Sequence, residues 1–210
     1  MRIVIPLFDG FTALDAVGPY EVLKMLPGAE TVFAAETAGP VRDSAKTLAL
    51  TADAAFGDIT ACDVLVVPGG RGVRDFLTDP GLLDWVRRMH ATTTWTTSVC
   101  TGSLALAAAG LLDGLTAASH WSAAEDLNEL GAVYTGERVV FHDEQRIVTS
   151  AGVSSGIDMA LALAGRIAGR TTAEAIQLMI EYDPQPPFDA GSLDKAPQAA
   201  KDLLTAGLNR

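Results

Sequence analysis

The chain is poor in cysteine, in histidine and in positive charge. Its 210 residues include 2 cysteines and 3 histidines, and 15 Lys and Arg stand against 26 Asp and Glu, a formal net charge of −11. Two widely separated cysteines argue against a disulfide framework and fit a reducing compartment. Binding to a nucleic-acid backbone or an anionic membrane needs clustered Lys and Arg, so we expect neither partner.

Long apolar runs and histidines at metal-ligand spacing are also missing. No apolar stretch approaches the length that spans a bilayer, and residues 1–7 have the pattern of a strand rather than of a signal peptide. We therefore expect a cytoplasmic protein. Because no two histidines share the spacing of metal ligands, we expect no metal, and the sequence indicates no other cofactor.

Short apolar or β-branched runs alternate with helical patterns along the chain, which is typical of parallel strands joined by crossover helices. The sequence predicts one α/β domain over residues 1–210, with a doubly wound, mostly parallel sheet sandwiched by helices. The predicted strands are 2–7, 31–35, 63–67, 94–99, 116–118 and 146–149, and the predicted helices are 15–26, 81–90, 101–111, 122–130, 155–168 and 172–182. Segments 47–52 and 138–142 are predicted as extra strands of a small side ribbon.

The C-terminal part changes character at Pro184. Because prolines cannot continue the preceding helix, residues 184–210 are predicted to form an extended tail, lying over the surface or across a partner subunit.

The most informative segment surrounds Cys100. The β-rich run 94–99 leads into this cysteine, and the small residues 101–103 then open an Ala- and Leu-rich helix. This pattern is typical of a nucleophile elbow with sulfur in place of oxygen, and it predicts a strained backbone at Cys100. The helix N-terminus would favour the thiolate, so Cys100 is expected to react faster than Cys62, which fits a small buried hydrophobe.

Two further segments should meet the thiol, because ligands bind open α/β sheets at the carboxyl ends of the strands. Gly69 and Gly70 follow the strand 63–67, and the Gly70 N–H together with that of Thr101 would form an oxyanion hole. A phosphate site is the competing use, but the loop lacks the Lys-Ser/Thr ending of a P-loop. Asp15 is either a helix N-cap or a general acid beside the thiol.

His120 and Trp121 are the candidate substrate-binding side chains. His120 follows the predicted strand 116–118 and is the only histidine placed to approach Cys100.

The assembled motifs resemble the ThiJ/PfpI superfamily, which shares its elbow with class I glutamine amidotransferases. The resemblance implies a flavodoxin-like fold and a homodimer with the site near the interface. The matching segments are 14–19, 68–70, 98–102, 119–121 and 151–158.

Within that superfamily the pattern is most similar to that of bacterial isocyanide hydratases, in residues 96–103 and in the tail 181–192. The resemblance implies that Cys100 attacks the terminal isocyanide carbon. The resulting thioimidate would be hydrolysed to an N-substituted formamide, with Asp15 handling the proton.

Two positions depart from other branches of the superfamily. The protease-like members carry a histidine where this chain has Thr101, so no peptidase activity is expected. The chaperone and deglycase branch usually carries a glutamate where this chain has Asp15, and the shorter side chain leaves more room above the sulfur.

Two other functions stay open from the sequence. One is a stand-alone ligand or redox sensor similar to the sensory half of AraC-type regulators, because an exposed low-pKa thiolate also suits a peroxide sensor. The other is a glyoxalase-like enzyme acting on small 2-oxoaldehydes, with His120 as its base.

Overall fold

The computed structural model describes residues 1–208, and the chain forms two compact units, Met1–Ile180 and a second that begins at Glu181. The strands are β1 (Arg2–Pro6), β2 (Glu30–Ala35), β3 (Gly39–Arg42), β4 (Ala49–Ala52), β5 (Ala54–Ala55), β6 (Val64–Val67), β7 (Trp95–Val99), β8 (Thr116–Ala117), β9 (Val133–Tyr134), β10 (Val139–His142) and β11 (Ile147–Ser150). The helices are α1 (Ala13–Leu23), α2 (Val73–Leu77), α3 (Pro80–Thr92), α4 (Gly102–Ala108), α5 (Ala124–Glu129), α6 (Ser155–Ala168), α7 (Arg170–Met179) and α8 (Gln198–Leu208).

A seven-stranded sheet with the order β10-β11-β7-β6-β1-β2-β5 forms the centre of the first unit. All its neighbours pair in parallel except β10, which is antiparallel to β11 at the edge. Two small ribbons, β3 with β4 and β8 with β9, lie outside this sheet. The sheet confirms the predicted fold class.

Helices cover both faces of the sheet, because its central strands are apolar on both sides. In β1, Val4 packs into a core shared with α3 and α4, whereas Ile3 and Ile5 pack into a second core shared with α1 and α6. Burial of both faces leaves the loops at the carboxyl ends of the strands as the place for chemistry.

The loops after β1, β6 and β7 come together at the point where the strand order reverses, between β1 and β6. Backbone hydrogen bonds tie the first two loops to each other, since the Thr12 N–H donates to the Gly69 carbonyl at 2.8 Å. The third loop is the turn at Cys100, which follows β7 directly.

Several predicted elements differ from the observed ones. Segment 116–118 is not part of the main sheet but pairs with β9, and segment 138–142 is the antiparallel edge strand β10 rather than part of a side ribbon. The side ribbon forms instead from β4, at the predicted 47–52, and the unpredicted β3. Such short pairings depend on which neighbour is present, and local sequence pattern does not encode that.

The second unit contains a helix that was not predicted. Residues 184–196 contain no helix or strand, as expected, but α8 lies inside the predicted extended tail. The helix begins directly after Pro197, a residue that is compatible with the start of a helix. Among the described residues, no helix is both long and apolar enough to cross a membrane.

Candidate active site

Cys100 occupies a strained turn between β7 and α4. Its φ is 58°, in the left-handed region that a residue with a side chain seldom adopts, so the predicted strain is confirmed. The Cys100 N–H donates to the carbonyls of Ser150 and Ala151, both at 3.1 Å. The Cys100 carbonyl accepts hydrogen bonds from the hydroxyls of Ser103, at 3.2 Å, and Ser119, at 3.1 Å. Four hydrogen bonds therefore hold the elbow in its unfavourable conformation.

Two glycines allow the loops to approach each other around the elbow. A Cβ on Gly102 would lie 2.2 Å from the Val67 carbonyl oxygen, and one on Gly69 would lie 2.5 Å from the Thr101 nitrogen. Both distances are shorter than any side chain tolerates, so these positions require glycine. This contact places the loop after β6 directly against the start of α4.

Asp15 lies in the first turn of α1 and is fully buried. The N-cap of this helix is Thr12, so the N-cap alternative for Asp15 is wrong. Its Oδ2 accepts a hydrogen bond from the Gly69 N–H at 3.0 Å, whereas its Oδ1 has no hydrogen-bond partner. The carboxyl interacts with the Cys100 thiol, as the general-acid alternative requires.

The two groups shift each other's protonation. Burial raises the pKa of Asp15 from 3.8 to about 7, although the Gly69 N–H and the thiol act in the opposite direction. Burial and the Asp15 carboxylate raise the pKa of the Cys100 thiol from 9.0 to about 12. The N–H groups of Thr101 and Val153 lower that pKa, but by less. The Thr101 N–H at the helix N-terminus thus favours the thiolate, as expected. The expected net lowering of the thiol pKa is wrong, because burial and the neighbouring carboxylate outweigh the helix N-terminus.

The glycine amides after β6 are already engaged. The Gly70 N–H donates to Thr101 Oγ1 at 2.9 Å, and the Gly69 N–H is bound to Asp15. A substrate could reach the Gly70 N–H only by displacing the Thr101 hydroxyl. The amides that face the sulfur are those of Thr101 and Val153.

The contact of the Val153 N–H with the thiol was not predicted, because the valine side chain itself carries no reactive group. Val153 adopts a φ of 43°, which is unusual for a β-branched residue, in the turn between β11 and α6. The neighbouring Gly152 is the available signal, because a glycine after a buried strand marks a close approach of the chain.

His120 packs against this same turn. A Cβ on Gly152 would lie 2.4 Å from the His120 Cδ2, and the His120 ring lies 5.2 Å from that of Trp121. The Ser122 N–H donates to His120 Nδ1 at 3.3 Å, which places the ring proton of the neutral form on Nε2. Burial lowers the pKa of His120 and favours that neutral form. Within the described residues, no hydrogen bond joins His120 to Cys100.

The part of the chain that the structure describes contains no cluster of side chains suited to binding a metal ion. No group of three or more His, Cys, Asp or Glu side chains there could hold a metal ion.

The chain is similar to known proteins in sequence and in structure. A sequence model of the DJ-1/PfpI family matches residues 1–166. The isonitrile hydratase of Pseudomonas putida is 43% identical over 196 residues, which cover 93% of this chain and 85% of that protein. The crystal structure of a ThiJ/PfpI family protein from Pseudomonas syringae matches with a TM-score of 0.93 and 38% identity, covering 99% of this chain and 86% of that one.

A transcriptional regulator is also similar. The HTH-type regulator GbdR of Pseudomonas aeruginosa is 30% identical over 182 residues, which cover 84% of this chain and 49% of the regulator. The chain thus spans about half the length of that relative.

Proposed function

This chain belongs to the DJ-1/PfpI family, and we propose that it is a cysteine-dependent hydratase that converts isocyanides (isonitriles) to N-substituted formamides. The observation that carries the proposal is the buried Asp15 carboxyl beside the Cys100 thiol, with Oδ1 free of any hydrogen bond. The similarity to the Pseudomonas putida isonitrile hydratase supports the substrate class.

The first half of the reaction joins the sulfur to the isocyanide carbon. Asp15, with a pKa of about 7, takes the thiol proton as the sulfur attacks the terminal carbon of R–N≡C. The N–H groups of Thr101 and Val153 stabilise the charge on sulfur. Asp15 then returns the proton to the same carbon, which gives the thioimidate R–N=CH–S.

The second half releases the product with the same carboxylate. Asp15 accepts a proton from water as the water oxygen adds to the thioimidate carbon, and passes that proton to the substrate nitrogen. The C–S bond breaks, the hydroxyl proton moves to sulfur through Asp15, and R–NH–CHO leaves. The balance is one isocyanide and one water consumed for one formamide.

Turnover of an aryl isocyanide such as the para-nitrophenyl compound tests the proposal. Absorbance follows the rate, and chromatography identifies the formamide. Asp15→Asn should lower kcat/KM by about 100-fold, the scale expected for loss of a positioned acid or base. Asp15→Glu should also be impaired, because its longer side chain crowds the reacting carbon. Cys62→Ala, at the other buried thiol, is the matched control and should retain most of the activity.

One result would contradict this function, and another would contradict the role of Asp15. No turnover of several aryl and alkyl isocyanides by the wild-type protein would exclude the hydratase. Full activity of Asp15→Asn with loss of activity in His120→Ala would keep the cysteine chemistry but assign the proton to the histidine.

A ligand or redox sensor is the second candidate, because the similarity to GbdR covers most of this chain. A sensor would yield neither formamide from isocyanides nor lactate from methylglyoxal. Lactate would instead indicate the glyoxalase, for which no hydrogen bond between His120 and the thiol is present in the described structure.

A further inference from the structure

The turn between β11 and α6 presents the thiol-facing amide from a strained backbone. Val153 supplies that amide with a φ of 43°, and a Cβ on the preceding Gly152 would lie 2.4 Å from Cδ2 of the His120 ring. Backbone strain of this kind persists only where the surrounding structure holds it. The contacts on either side of Val153 therefore decide where its N–H points.

Buried groups hold this turn on the side of the elbow. The Ala151 carbonyl accepts a hydrogen bond from the Cys100 N–H at 3.1 Å. The buried Ser155 hydroxyl donates to the same carbonyl and, at 3.3 Å, to the carbonyl of Gly152. These bonds fix the two carbonyls that precede Val153.

Arg138 holds the same turn at three points from the solvent side. It lies directly before β10, and its carbonyl accepts a hydrogen bond from the Ala151 N–H at 2.9 Å. Its guanidinium donates to the Ser154 hydroxyl at 3.4 Å, and it forms an ion pair with Asp158, in the first turn of α6, through Nε and Nη2. One residue thus contacts the chain both before and after Val153.

Neither partner of this ion pair contacts the reacting groups. Within the described residues, no hydrogen bond joins either side chain to Cys100 or Asp15, and neither charge is among the groups that shift the pKa of the thiol. The Arg138 side chain is 50% exposed and that of Asp158 is 33% exposed, so solvent screens their attraction and the pair adds little to the stability of the fold. We therefore expect the pair to act on the thiol through the turn that it spans.

We propose that Arg138, through its ion pair with Asp158, is a positioning residue that keeps the Val153 N–H directed at the Cys100 sulfur. A donor at the sulfur favours the thiolate, because it stabilises the negative charge that develops there. The consequence for isocyanide hydration rests on the proposed function. The consequence for alkylation of the thiol does not, because alkylation needs only the thiolate.

Alkylation of Cys100 by iodoacetamide at about pH 9, followed by peptide mapping, tests this role. Arg138→Met keeps an aliphatic stem but removes the ion pair, and it should slow labelling of Cys100 by about 5-fold, the scale expected for loss of one hydrogen bond. Asp158→Asn should slow labelling by a similar factor, and the double variant should be no slower than either single variant. Arg138→Lys keeps the charge and should restore most of the wild-type rate.

The ion pair between Arg166 and Asp143 supplies the matched control. It joins the last turn of the same helix to the turn between β10 and β11, and its side chains are likewise partly exposed. Arg166→Met should leave labelling of Cys100 within about twofold of the wild type, because this pair is remote from Val153. Labelling of Cys62 is the internal control and should be the same in every variant.

Three results would overturn the proposal. They are labelling of Cys100 at the wild-type rate in Arg138→Met, equal slowing in Arg166→Met, and a parallel change in the labelling of Cys62, which would indicate a general loosening of the fold. Turnover of isocyanides separates this proposal from the proposed function. If both hold, kcat/KM of Arg138→Met falls by the same factor as the labelling rate. Slower labelling in a protein that hydrates no isocyanide would contradict the hydratase and still support the positioning role.

Discussion

The two cysteines have nearly the same exposure but very different surroundings. Cys62 is 4% exposed and Cys100 is 5% exposed, and burial raises the pKa of each thiol to about 12. Each also has an acidic neighbour that raises its pKa further, Asp63 for Cys62 and Asp15 for Cys100. Neither the burial of a thiol nor its pKa in the folded protein therefore identifies the nucleophile.

The difference lies in the backbone and in the state of the neighbouring carboxylate. The Cys62 N–H donates to the Thr92 hydroxyl at 3.2 Å, and Asp63 Oδ2 accepts from the Arg2 N–H at 2.6 Å. Cys100 instead has a strained φ and faces an aspartate with one unpartnered oxygen. The comparison teaches that the nucleophile is distinguished by a neighbouring group that can take its proton as the sulfur attacks a substrate. At Cys100 that group is Asp15, although its charge opposes a free thiolate.

The sharpest test replaces each cysteine by alanine. Cys100→Ala should abolish isocyanide hydration, because no other group supplies the bond to carbon. Cys62→Ala should keep activity within about twofold and lower the free energy of unfolding by about 1 kcal/mol, as expected for removing a buried sulfur. Initial rates and denaturant melts measure both effects. Loss of turnover in Cys62→Ala with an intact fold would mean that Cys100 is not the only cysteine needed for the reaction.

The pH dependence of kcat/KM should follow the Asp15–Cys100 pair. The reactive state holds one proton between the two groups, and below the Asp15 pKa of about 7 both groups are protonated. Activity should therefore fall about tenfold per pH unit below about pH 7 and be flat above it. Rates measured across this range check the profile. An acid limb that persists unchanged in Asp15→Asn would assign it to another group.

Stability should depend on Asp15 in the opposite sense to a typical carboxylate. Its folded pKa of about 7 lies above the ordinary 3.8, so the folded protein binds the proton more tightly and loses stability as pH rises from about 4 to 7. Asp15→Asn should be more stable than the wild type, by about 2–3 kcal/mol more at about pH 8 than at about pH 5. Urea melts at both pH values measure this difference, and a gain that does not change with pH would refute it.

Alkylation by iodoacetamide measures the ionisation of the Cys100 thiol alone, because this reaction needs no proton from Asp15. In the wild type the pKa of the Cys100 thiol is about 12, so its alkylation should be slow near pH 7 and rise with pH. In Asp15→Asn the carboxylate no longer raises the pKa of the thiol, and at about pH 9 labelling of Cys100 should be roughly 10-fold faster than in the wild type. Peptide mapping follows both cysteines, with Cys62 as the internal control. Slower labelling in Asp15→Asn would mean that the carboxylate favours the free thiolate instead of opposing it.

Much of the central sheet could be predicted because its strands are distinct local signals. The runs that became β1, β6 and β7 are short, apolar and β-branched, and each is followed by turn residues. The short strands β3, β5 and β9 carried no comparable signal, and the helix α2 has only five residues. The expected homodimer, the cytoplasmic location and the roles of Gly69 and Trp121 stay predictions.

The candidate site was predictable in its members but not in its electrostatics. Cys100 and Asp15 were identified from the elbow pattern and from their places after parallel strands. Three other features of the site were not predicted. They are the hydrogen bond from the Gly70 N–H to Thr101, the amide of Val153 that faces the thiol, and the hydroxyls of Ser103 and Ser119 that donate to the Cys100 carbonyl.

The sequence by itself determined the main parallel strands, the helices that connect them and the strand-to-helix turn that carries Cys100. These features depend on residue periodicity and on glycines near the turn, both local properties of the chain. Only the tertiary structure decided that Asp15 is fully buried beside the sulfur, that its pKa rises to about 7 and that the thiol stays protonated. The free energy of a charge depends on the solvent that it loses and on the groups that it meets, and both are set when distant loops pack together.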